Sequence, residues 1–250
     1  MSAPVTIKLG GIAGAHADSL LAVARSAPPS TVIVHGGGNE VAEWSRRLGI
    51  RPRVRDGLRV TDPATLEVVV AVLGGLVNTR LVSALSHAGR PAVGMTGVDG
   101  GLLRLERRDP ALGEVGEVVG VDTRVLDATL GAGDVPVIAS IGADASGALL
   151  NINADEVAGA IAAERGGLLL LCTDVAGVLR DGAPVEHVGT ADAEAMLADG
   201  TASAGMRPKL RAALAAARAG CTVRIVDGRD AAGLARALAG EEIGTEVTAA

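Results

Sequence analysis

Of the 23 basic residues in this 250-residue chain, 21 are arginine and two are lysine, Lys8 and Lys209. The two side chains differ in shape, hydration and reach. A lysine that persists where arginine stands almost everywhere else is therefore a candidate for chemistry that a guanidinium cannot do. Lys8 precedes Gly10-Gly11 by two residues and lies within the strand-like run 5–9. A second cluster, Gly36-Gly37-Gly38, follows the β-branched run 31–34. Either cluster alone reads as a tight turn. Together with Lys8 they suggest phosphate handling, because a strand that runs through glycine into a helix offers free backbone N–H groups to an anion. Val41 occupies the last position where GxGxxG requires glycine, and there is no GxxxxGK[ST] loop.

Further constellations stand later in the chain. Asn151-Ile152-Asn153-Ala154-Asp155 holds two of the four asparagines. It reads either as an N-cap with a polar turn or as a polar cluster whose Asp155 opens a helix, where the dipole favours a carboxylate. In Gly205-Met206-Arg207-Pro208-Lys209, Lys209 falls in a first helical turn, where a cation opposes the dipole. It is either an exposed helix lysine or the neighbour of an anionic ligand or of Asp155. Arg59, in Gly57-Leu58-Arg59-Val60-Thr61-Asp62, suits bidentate capture of a carboxylate or a surface salt bridge. Thr173-Asp174 follows an apolar run and could contact a nucleotide. The histidines (16, 35, 87 and 187) have no metal-ligand spacing; His35, before the triple glycine, is the one near candidate chemistry. No Ser/His/Asp or Cys/His arrangement stands out.

Composition excludes several classes. Hydrophobic residues make up 48% and charged residues 21%, enough apolar surface for a packed core rather than a disordered chain. Net charge is −6 and no basic run exceeds two residues, which argues against nucleic acid and an anionic membrane surface. Phe, Tyr and Gln are absent and Trp44 is the single tryptophan, so base-stacking platforms are excluded. Cys172 and Cys221 lie in apolar surroundings outside any CxxC spacing and read as buried thiols. The apolar runs read as shorter than a membrane span. With no signal peptide ahead of the first strand, the expected location is cytoplasmic.

Strands are expected at 5–9, 31–34, 91–95, 135–140, 167–172 and 222–226, with an irregular hairpin region at 102–119. Helices are expected at 18–26, 40–48, 63–87, 124–131, 153–165, 191–198, 206–219 and 231–238. Pro63 follows the cap candidate Asp62. Gly74 and Gly75 mark either a close helix contact or a break. Continuous apolar strands separated by helices indicate an α/β fold: an open αβα sandwich with a mainly parallel central sheet covered on both faces. A single two-lobed fold with a cleft is expected, the lobes dividing near 1–148 and 149–250.

In order along the chain, IKLGG (7–11), VIVHGGGNEV (32–41), GLRVTD (57–62), DGGLL (99–103), GEVGEVVGVD (113–122), PVIASIG (136–142), LLNINADEVAGAIA (149–162), LLLLCTDVAGVL (168–179) and GMRPKLRAAL (205–214) resemble the amino acid kinase family, in its branch that phosphorylates N-acetyl-L-glutamate. The resemblance covers nearly the whole chain. It implies ATP-dependent phosphorylation of the γ-carboxylate of that substrate, a step of arginine biosynthesis, with the amino acid in the first lobe and the nucleotide in the second. It implies that Lys8 and Lys209 neutralise charge and that Asp155 orients them. Gly10, Gly11, Gly37 and Gly38 would supply backbone donors to the transferring phosphoryl group and the substrate. Arg59 and Asn151 would hold the substrate, and Thr173, Asp174 and Met206 would lie by the nucleotide. Mg²⁺ would arrive bound to ATP, with no metal site built from protein alone.

Two departures from the family pattern shape the expectation. The first strand begins almost at once, which by the resemblance implies a homodimer insensitive to arginine. Gly97-Val98-Asp99-Gly100 is short and also resembles kinases that act on glutamate or aminoadipate attached to an acidic carrier protein. Those relatives carry a lysine-rich hairpin. The corresponding 102–119 stretch sets Arg104, Arg107 and Arg108 against Glu106, Asp109, Glu114 and Glu117, which favours the free acetylated substrate and keeps the carrier-linked one as the alternative.

Overall fold

The computed structural model describes residues 3–10, 17–180, 182–203 and 205–249. In chain order the elements are β1 (Val5–Leu9), α1 (Ala17–Ser26), β2 (Thr31–His35), α2 (Gly38–Arg47), the short pair β3 (Val54–Arg55) and β4 (Leu58–Arg59), and α3 (Pro63–Val69), which continues through a π-helical stretch, Val70–Val77, into α4 (Asn78–His87). Next come β5 (Ala92–Thr96), β6 (Leu103–Arg107), β7 (Gly116–Val121), α5 (Arg124–Gly131), β8 (Val135–Ala139), β9 (Ile141–Asp144), β10 (Leu149–Asn151) and α6 (Ala154–Arg165). The rest is β11 (Leu168–Thr173), β12 (Leu179–Arg180), β13 (Ala183–Pro184), β14 (His187–Val188), α7 (Thr190–Ala198), α8 (Met206–Arg218), β15 (Thr222–Asp227), α9 (Ala231–Leu238) and β16 (Thr245–Val247).

The main sheet has eight strands in the order β14-β16-β15-β11-β1-β2-β8-β5. Every neighbouring pair is parallel except β15 with β16, so the mainly parallel sandwich expected from the apolar runs is the fold observed. A second, four-stranded sheet, β10-β9-β6-β7, contains the 102–119 hairpin.

Strand periodicity decides which way Lys8 points. Successive side chains face opposite sides of a sheet. Val32, Val34, Leu169 and Leu171 belong to the core under α6 and α8, while Val5, Ile7, Leu9, Ile33 and Leu170 belong to the core under α1, α4 and α9. Lys8 pairs in register with Val34 and Leu171, so its side chain leaves the sheet on the α6 side. Helices α6 and α8 cross closely there. A Cβ added at Gly159 would lie 3.0 Å from the Ala212 carbonyl oxygen and 3.1 Å from its Cβ. Gly159→Val therefore overpacks the crossing at about 1–3 kcal/mol. In a chain of this size that lowers Tm by about 2–4 °C per kcal/mol, measured by circular-dichroism melting; an unchanged Tm would show that the helices can separate without penalty.

Several elements differ from expectation. The 63–87 helix is continuous, but its centre is π-helical, and a Cβ at Gly74 would sit 3.5 Å from Ile141 Cδ1, a close contact rather than a break. The same 25-residue helix is long and apolar enough by composition to cross a membrane, contrary to the reading of the apolar runs. Here its Val68, Val69, Val72, Leu73, Val77, Leu81 and Leu85 are buried in the core of the fold. Strands β9, β10 and β16 and the two-residue strands β3, β4, β12, β13 and β14 fall outside the expected elements.

Candidate active site

Parallel strands bring their carboxyl ends to one edge, where open α/β sheets bind ligands. At that edge β1 ends in Leu9 and Gly10, in register with His35 at the end of β2, and His35 is in register with Ala139, before Ser140. A cavity of ≈240 Å³ opens there. Its walls include Lys8, Gly10, Gly37, Gly38, Arg59, Asn151 and Asp155, seven of the twelve residues singled out in the sequence. Gly11 lies outside the described residues.

Asp155 is the centre of the charge arrangement. It opens α6 behind Asn153, whose side chain caps the helix by accepting from the Asp155 and Glu156 N–H groups. Lys8 Nζ lies 2.9 Å from Asp155 Oδ1 and Lys209 Nζ lies 3.6 Å from Oδ2, one ammonium per carboxylate oxygen. Lys209 also donates to the Gly205 carbonyl at 3.4 Å. The three side chains are at most 12% exposed. Burial alone would push the Asp155 carboxyl up, but the ammonium groups of Lys8 and Lys209 outweigh it and hold it below the usual range. Burial pushes the Lys209 ammonium down and Asp155 pulls it back up in part. Buried charges are tolerated when paired, yet two ammonium groups on one carboxylate leave a net positive charge. That charge balance suits an anionic ligand.

The triple-glycine loop adds donors. Gly37 and Gly38 open α2, and their N–H groups have no acceptor among the described residues, as expected for a helix N-terminus. Gly37 has φ +155°, and a Cβ there would come 2.7 Å from Leu73 Cδ2, so only glycine fits. Arg59 Nη2 donates to the Gly38 carbonyl at 2.7 Å. Its Nη1 is buried without a hydrogen-bond partner among the described residues. Burial, then the nearby Arg46, lowers the Arg59 pKa; a carboxylate beside it would relieve both effects.

Asn151 is oriented by a chain of hydrogen bonds. Thr61 Oγ1 donates to the Arg59 carbonyl at 3.0 Å, so it accepts from Asn151 Nδ2, also at 3.0 Å. That leaves Asn151 Oδ1 free to accept from a ligand N–H. Thr173 and Asp174 follow β11, with Thr173 Oγ1 donating to Asp174 Oδ1 at 3.3 Å. Asp174 acts electrostatically on Lys209, and Met206 begins α8 one turn before it. Thr173, Asp174 and Met206 are not among the residues that line the cavity, and neither is Lys209. Ser140, Asn153, Val54 and Leu58 do line it and were missed as ligand-facing residues. Only Asn153, within the NINAD run, carried a visible signal.

The family model described as amino acid kinase family matches residues 6–227. The chain belongs to the amino acid kinase family. Among its relatives in that family, the acetylglutamate kinase of Rubrobacter xylanophilus is 46% identical over 246 residues, covering 97% of this chain and 96% of its own. The acetylglutamate kinase of Acidiphilium cryptum is 44% identical over 250 residues, covering 91% and 83%. The chain thus groups with the acetylglutamate kinases of the amino acid kinase family. Among solved structures, smu.665 from Streptococcus mutans UA159 superposes with a TM-score of 0.82 at 28% identity, covering 98% of each chain.

Proposed function

We propose that this amino acid kinase transfers the γ-phosphoryl group of ATP to the γ-carboxylate of N-acetyl-L-glutamate, giving N-acetylglutamyl 5-phosphate for arginine biosynthesis. The observation that carries the reading is the convergence of the chain's two lysines on one buried aspartate beside the open amides of Gly37 and Gly38.

Transfer to a carboxylate needs no general base, because the acceptor, with an ordinary pKa of about 4.3, is already ionised at neutral pH. The difficulty is bringing two anions into line while charge spreads over the equatorial oxygens. Lys8, on the rigid central strand, and Lys209, on α8, meet that charge from two directions. Asp155 keeps both ammonium groups aimed. The Gly10, Gly37 and Gly38 amides act as preorganised donors that need not reorganise during the reaction. Arg59 Nη1 takes the α-carboxylate and Asn151 Oδ1 accepts the N–H of the acetylated amino group. Thr173, Asp174 and Met206 are assigned to the nucleotide, in the part of the chain after residue 149, with the amino acid held mainly by residues before it. Mg²⁺ would be carried in on the nucleotide phosphates and supply further charge neutralisation there.

The free substrate is favoured over a carrier-linked one by the state of Arg107 and Arg108, two of the three arginines at 102–119. Arg107 pairs with Glu114 and Asp144, and Arg108 with Glu117 and Glu156. These cations are satisfied within the fold instead of forming an open basic face. The proposed assembly is a homodimer in the cytoplasm. The deciding experiment is an ATP-dependent hydroxamate assay with N-acetyl-L-glutamate, N-acetylaminoadipate and carrier-linked glutamate in parallel. Turnover with the first alone is expected; turnover confined to the carrier-linked arm would replace this reading. Arg59→Ala is expected to raise KM for the amino acid at least tenfold, as for a charge-assisted pair worth about 1.5–3 kcal/mol, with KM for ATP little changed. An unaltered amino-acid KM would remove Arg59 from the substrate site.

A further inference from the structure

The mechanism above gives no task to His35, a buried titratable group next to the triple-glycine loop. His35 ends β2, is 0% exposed, and leads directly into Gly36-Gly37-Gly38. Its Nδ1 lies 2.8 Å from the Gly36 carbonyl oxygen and its Nε2 lies 3.0 Å from Asn78 Nδ2.

We infer that His35, held by Asn78, is a positioning residue that aims the Gly37 N–H into the cavity by fixing the Gly36 carbonyl. The inference deepens the kinase reading and rests on it for the identity of the anion that the amide meets.

The geometry follows from peptide planarity. In a trans peptide unit the carbonyl of one residue and the N–H of the next point in opposite directions. Fixing a carbonyl therefore aims the following amide. Each carbonyl of the loop has its own tether. Gly36 O accepts from His35 Nδ1 at 2.8 Å, Gly37 O from the Val41 N–H at 2.9 Å and Gly38 O from Arg59 Nη2 at 2.7 Å. The amides aimed by these tethers are those of Gly37, Gly38 and Asn39. The Gly36–Gly37 and Gly37–Gly38 units both have glycine on either side, which leaves their planes free to rotate; the second is held by the helical bond from Val41, and the first is not. His35 is its tether.

The ring's protonation state is determined from both ends. Gly36 O can only accept, so Nδ1 carries a proton. On the other side, Asn78 Nδ2 also lies 2.9 Å from the Val137 carbonyl oxygen, which fixes that atom as the amide nitrogen. Nε2 therefore accepts. Both ends require the same neutral tautomer, with the proton on Nδ1. Burial, opposed by the Gly36 hydrogen bond, lowers the pKa to about 4, so the ring stays neutral at working pH. It is thereby excluded as a base, since Nε2 is already occupied. Asn78 is seated by a missing side chain: a Cβ on Gly94 would lie 1.9 Å from its Oδ1.

Two variants and one spectrum test the inference. His35→Leu keeps the bulk and removes the tether. It should lower kcat at least tenfold, within the about hundredfold range expected when reacting groups are misplaced by an ångström, with KM for ATP unchanged. His35→Asn places an amide nitrogen near the former Nδ1 and should return kcat to within about threefold of the parent. Equal loss in both variants, or a loss that merely follows the folded fraction, overturns the inference. The spectrum is independent of turnover and of folding in the variants. Nitrogen-15 NMR of the unmodified protein at pH 7 should show His35 with a protonated Nδ1 and a bare Nε2. A proton on Nε2, or a charged ring, overturns the positioning role even where the kinase assay succeeds; failure of that assay alone removes the functional reading and not the tautomer.

Discussion

Lys8→Ala lowers kcat by about two orders of magnitude or more, the loss expected when one preorganised charge-stabilising group is removed. The side chain is 7% exposed and stands on a central strand, which fixes where its ammonium group lies. The change also leaves Asp155 with only Lys209, 3.6 Å away. Breaking a buried pair by deleting one partner costs about 3–5 kcal/mol, and Lys209 offsets part of it. The measurement is therefore steady-state turnover on protein shown to be folded by circular dichroism, with both substrates saturating. Turnover near that of the parent would sink the proposed mechanism. Lys8→Arg is a useful companion, because the charge stays while the larger planar group must enter a space shaped for an ammonium.

Asp155→Asn has an effect of similar size by a different route. The shape is kept and the charge is lost, so two ammonium groups face each other across a neutral amide. One must release its proton or turn away, and either outcome removes a cation from the phosphoryl path. A fall in kcat of about a hundredfold is expected, with a lower Tm. The pH dependence separates this from simple loss of shape. The folded Asp155 pKa lies below its unfolded value. Its contribution to stability is therefore fully present above the unfolded value, near 3.9, and disappears as pH falls through the lower folded value. In Asp155→Asn that part of the acid destabilisation should be missing when melting is compared at neutral pH and below pH 4. An identical acid profile in parent and variant would show that the carboxylate is not held ionised by the lysines.

Much of this site was legible because composition isolated it. With arginine at 21 of 23 basic positions, Lys8 and Lys209 stood out before any element was assigned, although they are 201 positions apart. The main strands were legible because fully buried parallel strands are unbroken apolar runs, as in TVIVH and LLLLCT. Asp155 was legible only as a helix opener, since nothing local says which cations a cap residue will meet. The π-helical centre at 70–77 was hidden because VAVLGGLV is apolar all round and carries no phase. Strands β9, β10 and β16 are three or four residues long and too short to show alternation. The His35–Asn78 contact joins residues 43 positions apart. It follows from the register of β2 and β8 and from the space left at Gly94, neither of which the local sequence expresses.

The composition has an optical corollary. Trp44 is the sole aromatic side chain other than histidine. It sits at 36% exposure on α2, with the Arg47 guanidinium carbon 5.1 Å from its ring centre. The protein's intrinsic fluorescence and near-ultraviolet dichroism therefore arise from a single indole, on the helix that the triple-glycine loop leads into. Spectra that in most enzymes average over many chromophores here report on one helix, with no label introduced.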